Sequence, residues 1–383
     1  RYHCAAFMAA TLSSDMDNTD TVKIFYEDTI ANKVKMLGPD VNASQYRFEP
    51  VDRETIRYGL GAIKGTGEQA VNVILKARQE GGPFKDLFDF CQRCDKRMAN
   101  RRTIEALIRA GAFDGIAPRT AGETPVADRH KLLATVGVAM DFAEQAERDA
   151  LQTSLFDIAE VADEHAPEYV NVRPWDEKTQ LMEEKTALGF FFSGHPYNSR
   201  KRELSRFIKR PLCRLEPAKE FTFIAGIVVG IRTQMTRRGK MLFVQIDDGT
   251  AMVEVSVFNE LFEAERDKIV TDEVLVIEGK VRYDEFSGGN AVVAERLMTL
   301  GEARARFARH LLLKMNGQSD ATKLKSLLAP FAPGPAPVRV RYRNALAECE
   351  MVLGDTLRVK LDDALLEALN GWLQPDNVEI VYA

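Results

Sequence analysis

The segment Ile63-Lys64-Gly65-Thr66-Gly67 sets two glycines around a small polar residue, with a lysine beside them. Glycine lets the backbone turn tightly and approach a ligand closely, and the N–H groups that open a following helix point outward to where an anion can sit. A DNA phosphate suits that geometry and is held for position, not read for sequence. An isolated turn of this kind reads better as a plain connection between two helices. Here a second turn, Ala110-Gly111-Ala112, follows Arg101 and Arg102. The tandem arrangement favours DNA, with Lys64, Gly65, Thr66, Gly67, Arg101, Arg102 and Gly111 as duplex-binding candidates.

Two further groups could bind without doing covalent chemistry. Arg232, Arg237, Arg238 and Lys240 crowd a predicted hairpin, with Phe243, Phe258 and Tyr283 on nearby predicted strands. Cations in a loop add no packing, whereas a basic groove with stacking aromatics holds a single strand. The opposing reading makes those aromatics the core of a small barrel. Gln152-Thr153-Ser154-Leu155-Phe156 has the composition of a docking peptide, its apolar pair filling a pocket while Gln152 orients the chain. By composition alone the better reading is a helix end whose Leu155 and Phe156 fold back on the core.

Other spacings carry less. Asp15-Met16-Asp17 suggests a two-metal carboxylate pair, but it stands at a helix break, where Asp and Ser cap helices routinely. Cys91 and Cys94 have zinc or redox spacing, yet no second such pair exists and the segment reads as helix. The five histidines form no readable triad, and Ser287-Gly288-Gly289-Asn290 reads as a hairpin turn. No metal site and no catalytic residue is therefore assigned.

The elements that must position these groups fill 383 residues, enough for two to four domains. With 45% apolar and 28% charged residues the composition is that of a folded globular protein, and the net charge of −5 means that any nucleic-acid site must be a local cluster of cations. No apolar run is long enough to cross a bilayer. Five cysteines do not make a disulfide framework, and a reducing, cytoplasmic setting is expected. The chain opens at Arg1 inside an amphipathic run, which reads as part of something longer.

Residues 1–50 begin with two predicted helices, Ser13, Ser14 and Asp15 capping at the break, followed by two short strands around Tyr46–Phe48 and Ile56–Tyr58. Residues 51–151 alternate helices with glycine turns and end in a long helix over 128–151. Residues 152–218, acidic and then proline-bearing, read as a connector. Residues 219–300 give five strands with a helix after the third, the order of an OB-fold. Residues 301–383 run β-α-β-β-α-β, compatible with a ferredoxin-like domain. The expected architecture is multidomain: a helical tandem helix-hairpin-helix domain, an OB-fold β-barrel, and a C-terminal α+β domain.

In order along nearly the whole chain, the sequence resembles the carboxy-terminal region of the bacterial replicative DNA polymerase III alpha subunit. Phe7-Met8-Ala9-Ala10 and the run from Leu12 to Asp20 resemble the end of its fingers region; Tyr58 to Gly65 resembles the start of its tandem hairpin domain, and Asn100-Arg101-Arg102 through Asp114 its second hairpin. Ser193-Gly194-His195-Pro196 resembles a motif ahead of its OB domain. The resemblance implies that Gln152, Ser154, Leu155 and Phe156 form the internal motif for the sliding β-clamp. It implies that the hairpins hold duplex DNA, that the OB domain lies near single-stranded template, and that the C-terminal domain docks the tau subunit of the clamp loader. The family's catalytic aspartates and their Mg²⁺ belong to a palm domain that nothing here matches, so no cofactor and no nucleotide transfer is expected of this chain by itself. Competing readings are a protein-binding scaffold, a tRNA-binding OB protein, or an enzyme combining the same modules, such as a ligase; the last would need a K-x-D-G motif, which is absent.

Overall fold

A computed structural model describes residues 3–118, 128–156, 167–236, 239–284, 289–316, 320–343 and 347–382. The chain divides into two compact units, Arg1–His195 and Pro196–Ala383.

The first unit opens with α1 (Cys4–Ser14) and α2 (Thr19–Ala31). The break between them is capped differently from the sequence expectation. Asn18 is the N-cap, its side-chain oxygen accepting from the N–H groups of Asp20 and Thr21, which satisfies donors that a helix start leaves orphaned. Strands β1 (Lys35–Leu37), β2 (Glu49–Pro50) and β3 (Thr55–Arg57) form a small sheet in the order β1-β3-β2. Tyr46 to Phe48 is thus not a strand but the approach to β2.

A single turn of 3-10 helix (Leu60–Ala62) stands where a full helix was expected ahead of the Gly65 turn. Then follow α3 (Glu68–Gly81), α4 (Leu87–Arg93), α5 (Arg101–Arg109) and α6 (Arg129–Phe156). Asp86 and Asn100 cap α4 and α5 through Asp89 N and Thr103 N. α7 (Glu177–Leu188), capped by Asp176, ends at Gly189 in the left-handed region, φ +92°. One apolar core runs through the unit from Ala5 to Phe190, with Tyr58, Phe84, Phe90 and Phe113 fully buried. Residues 1–50 and the helices that follow them therefore share a core.

The second unit begins with α8 (Pro196–Leu204) and then builds the barrel from β4 (Thr222–Thr236), β5 (Gly239–Asp247), β6 (Met252–Phe258), β7 (Val274–Asp284) and β8 (Gly289–Thr299). α9 (Asn259–Glu265) lies between β6 and β7. The order β4-β5-β6-β8-β7 closes through β4–β7 pairing, and β6 meets β8 in parallel, as the OB-fold expectation requires. Its interior is aliphatic: Ile224, Val228, Leu242, Val244, Val255, Leu275, Ile277 and Val292. At the β7–β8 bulge, a Cβ on Gly279 would fall 2.5 Å from the Val293 carbonyl oxygen, so no larger residue fits.

Beyond the barrel come α10 (Leu300–Phe307), with a Thr299–Glu302 capping box, then β9 (Ala308–Asn316), α11 (Ala321–Leu328), β10 (Val338–Arg343), β11 (Glu348–Val352), α12 (Asp363–Leu373) and β12 (Val378–Tyr382). The β-α-β-β-α-β succession is as expected; the strand order β11-β10-β9-β12 is not ferredoxin-like. β9 and β10 pair directly in parallel, where a split β-α-β would insert a strand between them. The cause lies in the strands themselves. Leu311, Leu313, Met315, Val338 and Val340 give β9 and β10 buried faces, whereas every residue of β11 is exposed. A strand without an apolar face goes to the edge.

Candidate nucleic-acid interface

The first glycine turn has the open geometry that an anion needs. Gly65 sits at φ +87°, and a Cβ built on Gly65 or Gly67 would meet nothing within 4 Å. Lys64, Gly65, Gly67 and Glu68 are exposed. Gly67 is the N-cap of α3, and no side chain caps that helix, so its first N–H groups face outward. Thr66 has a different role from the one expected. It is buried, and its hydroxyl donates to the Leu60 and Ile63 carbonyls, both at 2.6 Å, so it clips the turn from within. The Lys64 N–H donates to the Ala187 carbonyl at 2.9 Å, bracing the turn against α7 and leaving its side chain to solvent.

The start of α5 is tied to the same turn. Thr103 Oγ1 donates to the Gly65 carbonyl at 3.3 Å, which brings the start of α5, where Arg101 and Arg102 are exposed, up to the turn. Arg101 Nε lies 2.8 Å from Glu105 Oε1, an exposed i,i+4 pair worth a few tenths of a kcal/mol and readily exchanged for a phosphate.

The second turn is built otherwise. The Gly111 N–H donates to the Ile108 carbonyl and the Ala112 N–H to that of Leu107, the two bonds of a Schellman closure on α5. These donors are committed to the helix end. Gly111, at φ +86°, makes room for Arg129: a Cβ there would lie 2.3 Å from the guanidinium Nη2. Arg129 forks onto Asp114 at 2.8 and 2.6 Å and reaches Glu184 Oε1 at 3.3 Å. The other oxygen of Glu184 accepts from the N–H groups of Phe192 and Ser193. Burial opposes the charge on Arg129, but Asp114 and Glu184 outweigh it and hold its pKa above the ordinary value. The turn borders a cleft of about 490 Å³ lined by Arg57, Asp40, Asp114 and Glu184. Gly111 is thus a structural position, a correction to its pairing with Gly65 as a phosphate cradle.

On the barrel, Phe243 points outward, half-buried, between the inward Leu242 and Val244. The guanidinium of Arg232 lies 4.6 Å over its ring while Nη2 reaches Glu254 at 3.2 Å. Lys240 Nζ stands 4.8 Å from the Phe262 ring. Phe258 and Tyr283 are 46% and 58% exposed, so they are surface aromatics and not barrel core. Arg237 and Arg238 lie outside the described residues. Arg232 and Phe243, paired across β4 and β5, share the barrel's outer side, with Arg232 already partnered by a carboxylate, whereas Lys240 has the opposite parity on β5 and lies towards Phe262 of α9.

The backbone of α6 runs on through Gln152, Ser154, Leu155 and Phe156, five residues beyond the expected end of that helix; their side chains lie outside the described residues. Asp15 and Asp17 flank the buried Met16 and face solvent. Among the described residues no group of three or more His, Cys, Asp or Glu is placed to hold a metal ion. Cys91 and Cys94 are buried, and burial pushes both thiols up to about 12, so neither is poised as a thiolate nucleophile. Among the described residues no helix is long and apolar enough to cross a membrane.

Sequence reasoning overlooked a run of cations. Between Arg200 and Arg214 stand seven basic residues and a single carboxylate, Glu203. Counting charge in a fifteen-residue window would have found it.

Comparison with known proteins places names beside this geometry. Residues 33–121 match a family model described as a helix-hairpin-helix motif, residues 223–300 one described as an OB-fold nucleic acid binding domain, and residues 323–373 the C-terminal domain of DNA polymerase III subunit alpha. The chain is 41% identical over 385 residues to the DNA polymerase III subunit alpha of Neisseria meningitidis serogroup A, covering 99% of this chain and 33% of that one. It is 39% identical to the subunit of that name from Pseudomonas aeruginosa, with the same coverage. It is 34% identical to that of Escherichia coli K12, covering 100% of this chain and 33% of the relative. The chain thus spans about a third of the length of the curated relatives it matches. Among solved structures, the second OB-fold domain of replication protein A from Methanococcus maripaludis is similar at 16% identity, covering 24% of this chain and 93% of that one, with a TM-score of 0.20.

Proposed function

The chain belongs to the DNA polymerase III alpha subunit family, whose carboxy-terminal region it represents, and we propose that it grips DNA and replication partners while nucleotide transfer, with its Mg²⁺, resides in the part of the relatives it does not span. The carrying observation is the bond from Thr103 to the Gly65 carbonyl, which joins an open glycine turn, an uncapped helix start and three exposed cations in one place. Backbone N–H groups at a helix start hold a phosphate without reading bases, and Lys64, Arg101 and Arg102 add charge around it. Such a site takes the backbone of a duplex.

Arg232 and Phe243 on the barrel's outer side, with Lys240 at the α9 end of the same hairpin, are assigned to single-stranded template. Gln152, Ser154, Leu155 and Phe156 are assigned to the sliding clamp, and the C-terminal domain to the tau subunit of the clamp loader. Tethering to a ring raises the effective concentration of protein on DNA without a new catalytic group. The test of the duplex site is Lys64→Glu with Gly65→Val. Duplex affinity should fall roughly ten-fold, the scale of one lost charge-assisted hydrogen bond, with the protein still folded by circular dichroism. Unchanged affinity in the folded variant would return the turn to a plain helix connection.

A further inference from the structure

The basic run at 200–214 lies in the second unit and belongs to none of the sites above. Its side chains alternate with anchors. Tyr197, Leu204 and Ile208 pack with Ala225, Ile227 and Val276 on the barrel wall, and Leu212 and Leu215 enter the barrel's apolar cluster. Between those anchors Lys201, Arg202, Arg206, Lys209 and Arg214 are all exposed. Two other cations of the run are neutralised, Arg200 by Asp363 at 2.9 Å and Arg210 by Glu216 at 3.0 Å. Glu203, the run's own carboxylate, is held by Arg304 at 2.6 Å. Among the described residues no ion pair engages the remaining five.

Five unneutralised cations fixed on a rigid wall repel one another, and none contributes packing. In a chain of net charge −5 that local excess is a cost to folding that an anionic ligand relieves. We propose that this strip is a second phosphate track for duplex DNA, distinct from the Gly65 turn and resting on the reading above only in taking DNA as the polyanion. The duplex is favoured over a single strand because the strip offers no ring for a base to stack on. Phe207 is already stacked on Phe307, with centroids 4.8 Å apart and planes at 12°, and Tyr197 is buried. Contacts of this kind carry no sequence information and are read through salt.

The test replaces Lys201, Arg202, Arg206 and Lys209 together by Gln in the full chain and follows duplex binding by anisotropy as salt is raised. At about 0.9 per phosphate, the slope of log affinity against log salt should become shallower by about 3.6, with the melting temperature unchanged. A second variant exchanges Lys for Arg and Arg for Lys at the same four positions and should keep the parental slope. An unchanged slope in the Gln variant overturns the track, and so does a loss confined to single-stranded DNA or shown only by an acidic protein partner. If the four-fold variant misfolds, Lys201→Gln with Arg206→Gln should still lower the slope by about 2. Measuring Lys64→Glu in parallel separates the two sites, since either can fail while the other stands.

Discussion

Two glycines of nearly equal φ show how much a residue's surroundings decide. Gly65 and Gly111 both follow apolar helical segments and both carry cations nearby, so the sequence presents them as equivalent. The difference lies in what fills the space beside each: solvent at Gly65, the Arg129 guanidinium at Gly111. No local pattern reveals that, because Arg129 and Glu184 arrive from distant positions in the chain. Gly111→Ala should therefore destabilise the first unit by more than the roughly 1–2 kcal/mol of the left-handed backbone alone, seen as a lower denaturant midpoint. Duplex affinity of the protein that remains folded should stay parental; a selective affinity loss with unchanged stability would restore Gly111 to the DNA site.

Among elements, helices with cap signals and strands with an apolar face were legible in the sequence, whereas pairing order was not. β11 was foreseen as a strand, but its place at the edge follows from comparing its exposed face with the buried ones of β9 and β10. The basic run that begins in α8 was legible in principle and hidden by its neighbours, prolines and apolar anchors that read as a connector. α8, α10, α12 and β12 also meet at one buried group. Arg304 forks onto Glu203 at 2.6 and 2.9 Å and donates to Asp363 at 2.7 Å and to the Leu361 carbonyl at 3.0 Å, while the Tyr382 hydroxyl donates to Glu203. Burial pushes the Glu203 pKa up, but Arg304 and Tyr382 outweigh it and the net shift is below the ordinary 4.5. A depressed carboxylate stabilises the fold above its unfolded-state value and loses that contribution as pH falls through its folded value. The second unit should therefore weaken below about pH 4.5, and Glu203→Gln should flatten that acid limb of a melting-temperature profile. Arg304→Met, which leaves the half-buried Glu203 with Tyr382 but without its cation, should cost about 2–3 kcal/mol, below the penalty for a fully buried pair. A parental acid limb in Glu203→Gln would remove this assignment.

Across the whole chain, the barrel and the C-terminal β-α-β-β-α-β succession have their expected element order, because each is specified by local periodicity and turn chemistry, whereas the helical domain departs from it at its first helix, a single 3-10 turn. The proposed hold on DNA rests on surface charge and open backbone, and the proposed clamp contact on side chains beyond the described residues. Leu155→Ala with Phe156→Ala should abolish capture of the sliding clamp with little change in melting temperature, and retained capture would remove the motif from the account. The central claim, that this chain is a grip on DNA, is tested most directly by titrating the unmodified chain against a primed duplex from low to physiological salt. The account predicts sequence-independent binding whose logarithm falls steeply and linearly with log salt. Binding that is absent at low salt, or indifferent to salt, would contradict it.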